Sequence, residues 1–230
     1  MLTGPHNLAS QIRDVRSRIE RAAVQAGRDP ASITLVAVSK TQPAEKVRAA
    51  ATLGVTEFAE NYVREAAEKI EGLRDLALNW HFIGSIQANK TRAIATQFAW
   101  VHSVDRLGVA RRLSEQRPFH APALNLCIQV ALAAESNKSG VEPALVPELA
   151  AQIARLPRVR LRGLMCLPPA QLEVSAQHDI FARLRELLER LNCDGLRLDT
   201  LSMGMSGDFE AAIAEGATHV RIGTALFGPR

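Results

Sequence analysis

The feature that most constrains this chain is an alternation. Eight strand-like runs recur along its 230 residues, and helix-like runs separate them. The strand candidates are "TLVAVSK" (34–40), "TEFAEN" (56–61), "WHFIG" (80–84), "WVHSVD" (100–105), "LNLCIQVAL" (124–132), "VRLRGLMCL" (159–167), "LDTLSMG" (198–204) and "THVRIG" (218–223). Between them, Phe181, Leu184, Leu187, Leu188 and Leu191 form an apolar stripe at helical spacing. Leu107, Ala110 and Leu113 form another, with Asp105 placed to cap it. Gly54 and Gly216 stand where a helix stops before the next strand. Repeated βα units imply a parallel sheet. Eight of them in so short a chain predict an α/β fold, a single (β/α)8 TIM barrel with short loops. A doubly wound open sheet is the alternative, but no G-x-G-x-x-G follows the first strand. Ahead of the barrel, Leu8, Ile12, Val15, Ile19, Ala22 and Ala26 trace one helical face, ended by Gly27 and Pro30. Residues 1–30 are therefore expected to pack on the barrel as an extra helix. No linker or low-complexity stretch intervenes, so one domain over 1–230 is expected.

Composition narrows the function classes. Hydrophobic and charged contents of 47% and 23% are those of a globular protein. Cys127, Cys166 and Cys193 show no C-x-x-C spacing, which argues against a disulfide framework or a zinc site and for a reducing compartment. Cys127 and Cys166 sit in apolar runs and read as inert buried thiols. No apolar run approaches the roughly 18 residues that cross a bilayer. The first residues lack a signal-peptide core, so a cytoplasmic protein without membrane partners is expected. A net charge of +4 permits anionic ligands. The densest basic stretch, "ARLPRVRLRG", carries no interleaved aromatics, and aromatics make up only 4% of the chain, so nucleic acid is not the expected partner.

A barrel of this kind puts its site at the C-terminal ends of the strands. Lys40 ends the first strand, Asn61 the second, His81 lies in the third and Asp105 follows the fourth. "AAESNKSG" follows the fifth, "MGMSGD" the seventh, and "RIGTALFG" closes the eighth. The loops after strands 7 and 8 often hold a phosphate in such barrels. Gly204, Ser206 and Gly207 form one small turn there, and Gly223 and Thr224 another. Their backbone N–H groups and the Ser206 hydroxyl suit an anion. Val36, Val38 and Lys40 share a strand face, and Arg221 lies two residues before Gly223. An amine, an arginine and a phosphate cradle at one barrel mouth point to an aldehyde-bearing phosphate ester, and pyridoxal 5′-phosphate (PLP) fits. Each residue also has a plainer reading. Lys40, taken alone, is a lysine snorkelling from a strand end. Arg221 could pair with Glu210 or Glu215, Asn61 could cap a helix, and His81 and His219 could be core histidines.

The segments "AVSKTQP", "FAENYVRE", "WHFIGSIQANK", "HSVDR", "ESNKSG", "LRGLMCLPP" and "LSMGMSGDFEAAIAEGATHVRIGTALFG" resemble the pyridoxal-phosphate homeostasis protein family. The resemblance runs from about residue 8 to the end. It implies a fold like the N-terminal barrel of alanine racemase and a Schiff base between PLP and Lys40. It further implies phosphate contacts from Ser206, Gly223 and Thr224, Arg221 near the pyridine nitrogen, and a pocket lined by Asn61 and Met203. The implied role is to carry and buffer PLP, with apo-enzymes as candidate recipients and no established reaction. One departure is visible: many members have a second lysine two residues after the first, where this chain has Gln42. Lys138 in "ESNKSG" is retained, and its plain reading is a solvated loop lysine.

A low-activity amino-acid racemase is the competing expectation. Arginine beside the pyridine nitrogen leaves the ring a weak electron sink, yet racemases of this barrel type also use arginine. Two-base racemisation needs a base on each face of the substrate carbon. In the racemase-like family a further β-domain of a partner subunit supplies the second one. With the sequence ending at Arg230, that domain is expected to be missing, and a non-catalytic monomer is the expectation. A polyanion-binding module using the basic surface is a third possibility.

Overall fold

The alternation resolves into a closed barrel of eight parallel strands, paired in the order of the chain. They are β1 (Thr34–Val38), β2 (Glu57–Glu60), β3 (Asn79–Phe82), β4 (Trp100–Val104), β5 (Leu124–Gln129), β6 (Val159–Met165), β7 (Thr200–Ser202) and β8 (His219–Ile222). The structure is a computed structural model that describes residues 5–132, 140–169 and 172–228. Closure runs through β1 and β8, with Thr34 opposite His219 and Ala37 opposite Ile222. The helices after the strands are α2 (Ala44–Thr52), α3 (Val63–Gly72), α4 (Thr91–Gln97), α5 (Leu107–Gln116), α6 (Val146–Ile153), α7 (Val174–Cys193), α8 (Phe209–Ala214) and α9 (Thr224–Phe227). The extra helix α1 (Pro5–Gln25) packs on α8 and α9, burying Leu8, Ile12, Val15, Ile19 and Ala22 as its spacing requires.

Strand alternation sorts side chains into two cores. Ala37, Phe58 and Leu126 face outward into the layer between sheet and helices. Val36, Val38 and Ala59 face inward and form a small separate cluster. Branched aliphatics usually fill such an interior. Here much of it is polar: His81, His102, Ser202 and Arg221 are buried, and the His219 ring lies 4.9 Å from Trp100.

Several strands end earlier than their sequence patterns. β1 stops at Val38, so Lys40 sits in the turn beyond it. β5 stops at Gln129, followed by a single bridge from Val130 to Val141. Asp105 does not cap α5. The cap position is Arg106, whose guanidinium takes the Asp105 carboxylate at 2.7 Å instead. Gly54 and Gly216 lie just past α2 and α8 at φ of 78° and 99°, the left-handed stop expected of them.

Candidate functional site

Lys40, Asn61, Ser206, Arg221, Gly223 and Thr224 line one cavity of about 460 Å³ at the C-terminal ends of the strands. Met203 does not join them. It lies one residue past inward-facing Ser202, so alternation turns it outward into the buried helix-facing core. Met205 lines the cavity instead, where the family resemblance had implied Met203. Gln42, Ile83, Leu167 and Phe227 complete walls that the sequence pattern did not reveal. Lys138 lies outside the described residues.

The turn that carries Lys40 is held from α3. Lys69 donates from its Nζ to the Ser39 carbonyl at 2.6 Å, to Glu60 Oε1 at 2.7 Å and to Glu65 Oε1 at 2.6 Å. Ser39 Oγ donates to the same Glu60 oxygen at 2.6 Å, and the Thr41 N–H donates to Glu65 at 2.5 Å. Thr41 needs that grip, because its φ of 64° is a left-handed conformation that a β-branched residue avoids. Such strain costs about 1–3 kcal/mol and persists where surroundings over-determine it. Burial pushes the Glu60 carboxyl up, and the Lys69 and Ser39 hydrogen bonds oppose that. The sequence did hold one signal: Glu65 and Lys69 are four residues apart on one helix.

Asn61 is not the helix cap, which is Tyr62. Its Oδ1 is buried without a hydrogen-bond partner, although the residue lines the cavity. A buried, unpaired amide end at a cavity wall suits a polar ligand group. Gly84 lets the end of β3 approach this point, since a Cβ there would stand 2.1 Å from the Asn61 carbonyl oxygen.

The loops after β7 and β8 are tied together. The Ala225 N–H donates to Ser206 Oγ at 3.2 Å, and the Arg221 N–H donates to the Gly204 carbonyl at 3.0 Å. Gly204 holds φ at 91°, and a Cβ there would come within 2.7 Å of the Ala212 methyl. The corner thus gathers two hydroxyl side chains, Ser206 and Thr224, with the backbone of Gly207 and Gly223.

Arg221 pairs with neither Glu210 nor Glu215. Glu210 takes Arg18 at 2.6 Å, and Glu215 takes His178 at 2.9 Å and Arg185 at 3.4 Å. The buried Arg221 guanidinium donates instead to Ser202 Oγ at 2.7 Å and to the Cys166 carbonyl at 2.8 Å. Burial lowers its pKa, yet a guanidinium stays protonated and is only a donor. Its floor position gives the cavity a fixed positive charge. Burial also pushes the thiols of Cys127 and Cys166 up to about 12, so neither supplies a thiolate.

The family model for the N-terminal domain of alanine racemase matches residues 12–230. The pyridoxal phosphate homeostasis protein of Pseudomonas aeruginosa is 60% identical over 223 residues, which cover 97% of this chain and 96% of that protein. The chain belongs to the pyridoxal phosphate homeostasis protein family. The family's Escherichia coli K12 member is 46% identical over 228 residues, 98% of this chain and 97% of the relative. Among solved structures, PipY of Synechococcus elongatus PCC7942 with PLP bound matches with a TM-score of 0.86 at 38% identity, covering 96% of this chain and all of that one. An alanine racemase of Clostridium difficile 630 matches at 15% identity with a TM-score of 0.76, over 98% of this chain and 57% of that one. That last likeness is one of fold, and it bears out the racemase-like barrel expected from the family resemblance.

Proposed function

We propose that this chain binds PLP in the cavity at the barrel mouth, anchors it covalently through Lys40, and carries and buffers it inside the cell without catalysing a reaction. One observation carries the reading: a single cavity gathers Lys40, Arg221, the unpaired Asn61 amide and the Ser206, Gly223 and Thr224 corner. The PLP-bound state of PipY supports it. PLP, when bound, supplies an electrophilic aldehyde on an electron-withdrawing ring. Lys40 contributes the amine for the aldehyde. Ser206 and Thr224, with the backbone at Gly207 and Gly223, would hold the phosphate. Arg221 would donate to the ring nitrogen, and Asn61 would satisfy its free amide end on a polar ring substituent.

Arg221 cannot protonate the ring nitrogen, which keeps the ring a weak electron sink and disfavours many PLP reactions, though not racemisation. A second feature favours a carrier over a racemase. Among the described residues that line the cavity, Lys40 is the one side chain able to accept a proton from a substrate carbon. Racemisation needs a base on each face. The reading includes a cytoplasmic, monomeric carrier that delivers PLP to apo-enzymes. Among the described residues, no helix is long and apolar enough to cross a membrane.

The test is to load purified protein with PLP and record its visible absorbance, alone and as Lys40→Ala. We expect a lysine-bound chromophore in the wild type and its loss in the variant, with no measurable racemisation of common amino acids. A wild type that takes up no PLP, or a variant with an unchanged spectrum, would sink the binding claim. A robust racemisation rate would overturn the carrier claim. Restoration of an apo-enzyme's activity by the loaded protein tests delivery, and the mass in solution tests the monomer.

A further inference from the structure

The barrel interior holds a continuous hydrogen-bonded chain that the cavity does not explain. Glu57 Oε2 lies 2.8 Å from His81 Nε2, and His81 Nδ1 lies 2.8 Å from His102 Nε2. His102 Nδ1 lies 2.7 Å from Ser202 Oγ, which accepts from Arg221 at 2.7 Å. Five residues from β2, β3, β4, β7 and β8 thus cross the interior. One end is the cavity floor. The other opens on a separate hollow of about 280 Å³ shared with Arg16, Thr34 and Gly54.

The two ends dictate where every proton sits. Arg221 can only donate, and an ionised Glu57 can only accept. His81 must then donate from Nε2 to Glu57, which leaves its Nδ1 bare when the ring is neutral. His102 must donate from Nε2 to that Nδ1, which leaves its own Nδ1 bare. Ser202 must donate to His102 and accept from Arg221. No bond in the chain is free to reverse while both ends keep their charge and both rings stay neutral.

We propose that Ser202, His102 and His81 are positioning residues that form a one-directional hydrogen-bond wire, joining the Arg221 guanidinium at the cavity floor to the Glu57 carboxylate at the opposite end of the barrel. The wire gives a buried cation an acceptor and a distant counter-charge without placing a carboxylate in the cavity. A carboxylate there would compete for Arg221 and repel a phosphate ester. The surroundings keep both rings neutral. Burial lowers the pKa of His81, and burial followed by the charges of His81, His219 and Arg221 lowers that of His102 well below the ordinary value. His219 lies 6.1 Å from the His102 ring and 6.2 Å from the His81 ring, and Arg162, paired with Asp199, stacks 4.9 Å from Trp100 beside them. Asp208, Cys127 and Cys166 are the remaining titratable groups whose charge bears on Arg221.

The wire stands on geometry and on the burial of its rings, whereas its consequence for PLP rests on the proposed function. Two measurements keep them apart. In the cofactor-free protein, ¹⁵N NMR of labelled histidine should show His81 and His102 neutral at pH 7, each with its proton on Nε2. A proton on Nδ1 of either ring, or an imidazolium, overturns the wire. In the PLP-loaded protein, Ser202→Ala should release PLP about tenfold faster, and His102→Phe several-fold faster. His102→Gln, whose amide can both accept from Ser202 and donate to His81, should recover most of the loss. Release unchanged in both disruptive variants, or no recovery with glutamine in a variant that keeps its thermal stability, rejects the positioning role. Should the wild type refuse PLP, the functional reading falls and the NMR result alone decides the wire.

Discussion

Lys40 and Arg221 face the same cavity, but opposite kinds of chemistry hold them. The turn of Lys40 is fastened by formal charges: one lysine, Lys69, and two carboxylates, Glu60 and Glu65, buried or half-buried between sheet and helix. Arg221 is fastened from inside the barrel by a neutral serine and a backbone carbonyl, and among the described residues no carboxylate pairs with it directly. The difference follows from what each must do. A strained turn needs strong partners that never face the ligand. A cation meant to meet a ligand must keep its donors uncommitted to a stronger acceptor. The charges that fasten the Lys40 turn lie outside the barrel wall, and the Arg221 guanidinium lies within it.

The largest break in this comparison is Lys69→Met. It leaves two carboxylates without their cation, and stranding a buried charge costs about 3–5 kcal/mol. We expect a loss of that order in urea unfolding, together with lost PLP loading as the Lys40 turn relaxes. A loss under about 1 kcal/mol would show that the ion-pair cluster is not the fastening.

Acid should come next. Burial lowers the pKa of His219 from the ordinary 6.5 to about 3, and lowers those of His81 and His102. The unfolded chain therefore binds protons that the native interior refuses as pH falls from 6.5 toward 3. Folding stability should drop across that window by up to about 1.4 kcal/mol per pH unit for His219, with further loss below pH 6.5 from His81 and His102. Unfolding curves taken at steps of pH measure the slope, and a flat profile between pH 6.5 and 4 would contradict the neutral interior.

Arg221→Gln sharpens the contrast. Removing a buried cation that no carboxylate pairs with among the described residues spares a desolvation cost, so the apo protein should lose little stability. PLP retention should nevertheless weaken by about tenfold, roughly 1.4 kcal/mol. Equal damage to stability and retention would make Arg221 a scaffold residue like Lys69. The smallest effect separates two methionines. Met203→Leu, in the packed core, should cost under about 1.5 kcal/mol of stability and leave retention alone. Met205→Leu, at the cavity wall, should do the reverse.

Much of the fold was legible because strands and helices leave different periods. The eight alternating runs and the stripe on α1 needed no partner to be recognised. Strand ends were harder. The run "TLVAVSK" gives no sign of where pairing stops, because Ser39 still donates its N–H to the Ala59 carbonyl after β1 has ended. Asp105 had the right chemistry for a cap but met a neighbouring guanidinium first. At the site, Lys40, Ser206, Gly223 and Thr224 were legible because a barrel rule says which strand ends matter. Met203 and Met205 were not told apart, since alternation from inward Ser202 turns Met203 outward, whereas Met205 reaches the cavity only because β7 has ended and the chain turns at Gly204.

The sequence by itself determined the barrel, its extra helix and the mouth at which an amine, an arginine and two hydroxyl-bearing turns would meet. Those features depend on local pattern and chain order, which one strand's neighbours do not change. Only the tertiary structure decided what stands behind them. Glu57, His81, His102, Ser202 and Arg221 are separated by as many as 100 residues between hydrogen-bonded neighbours. No local pattern encodes their contact. Closure of the sheet brings the five strands around one interior, and the donor-only and acceptor-only ends then order every proton between them.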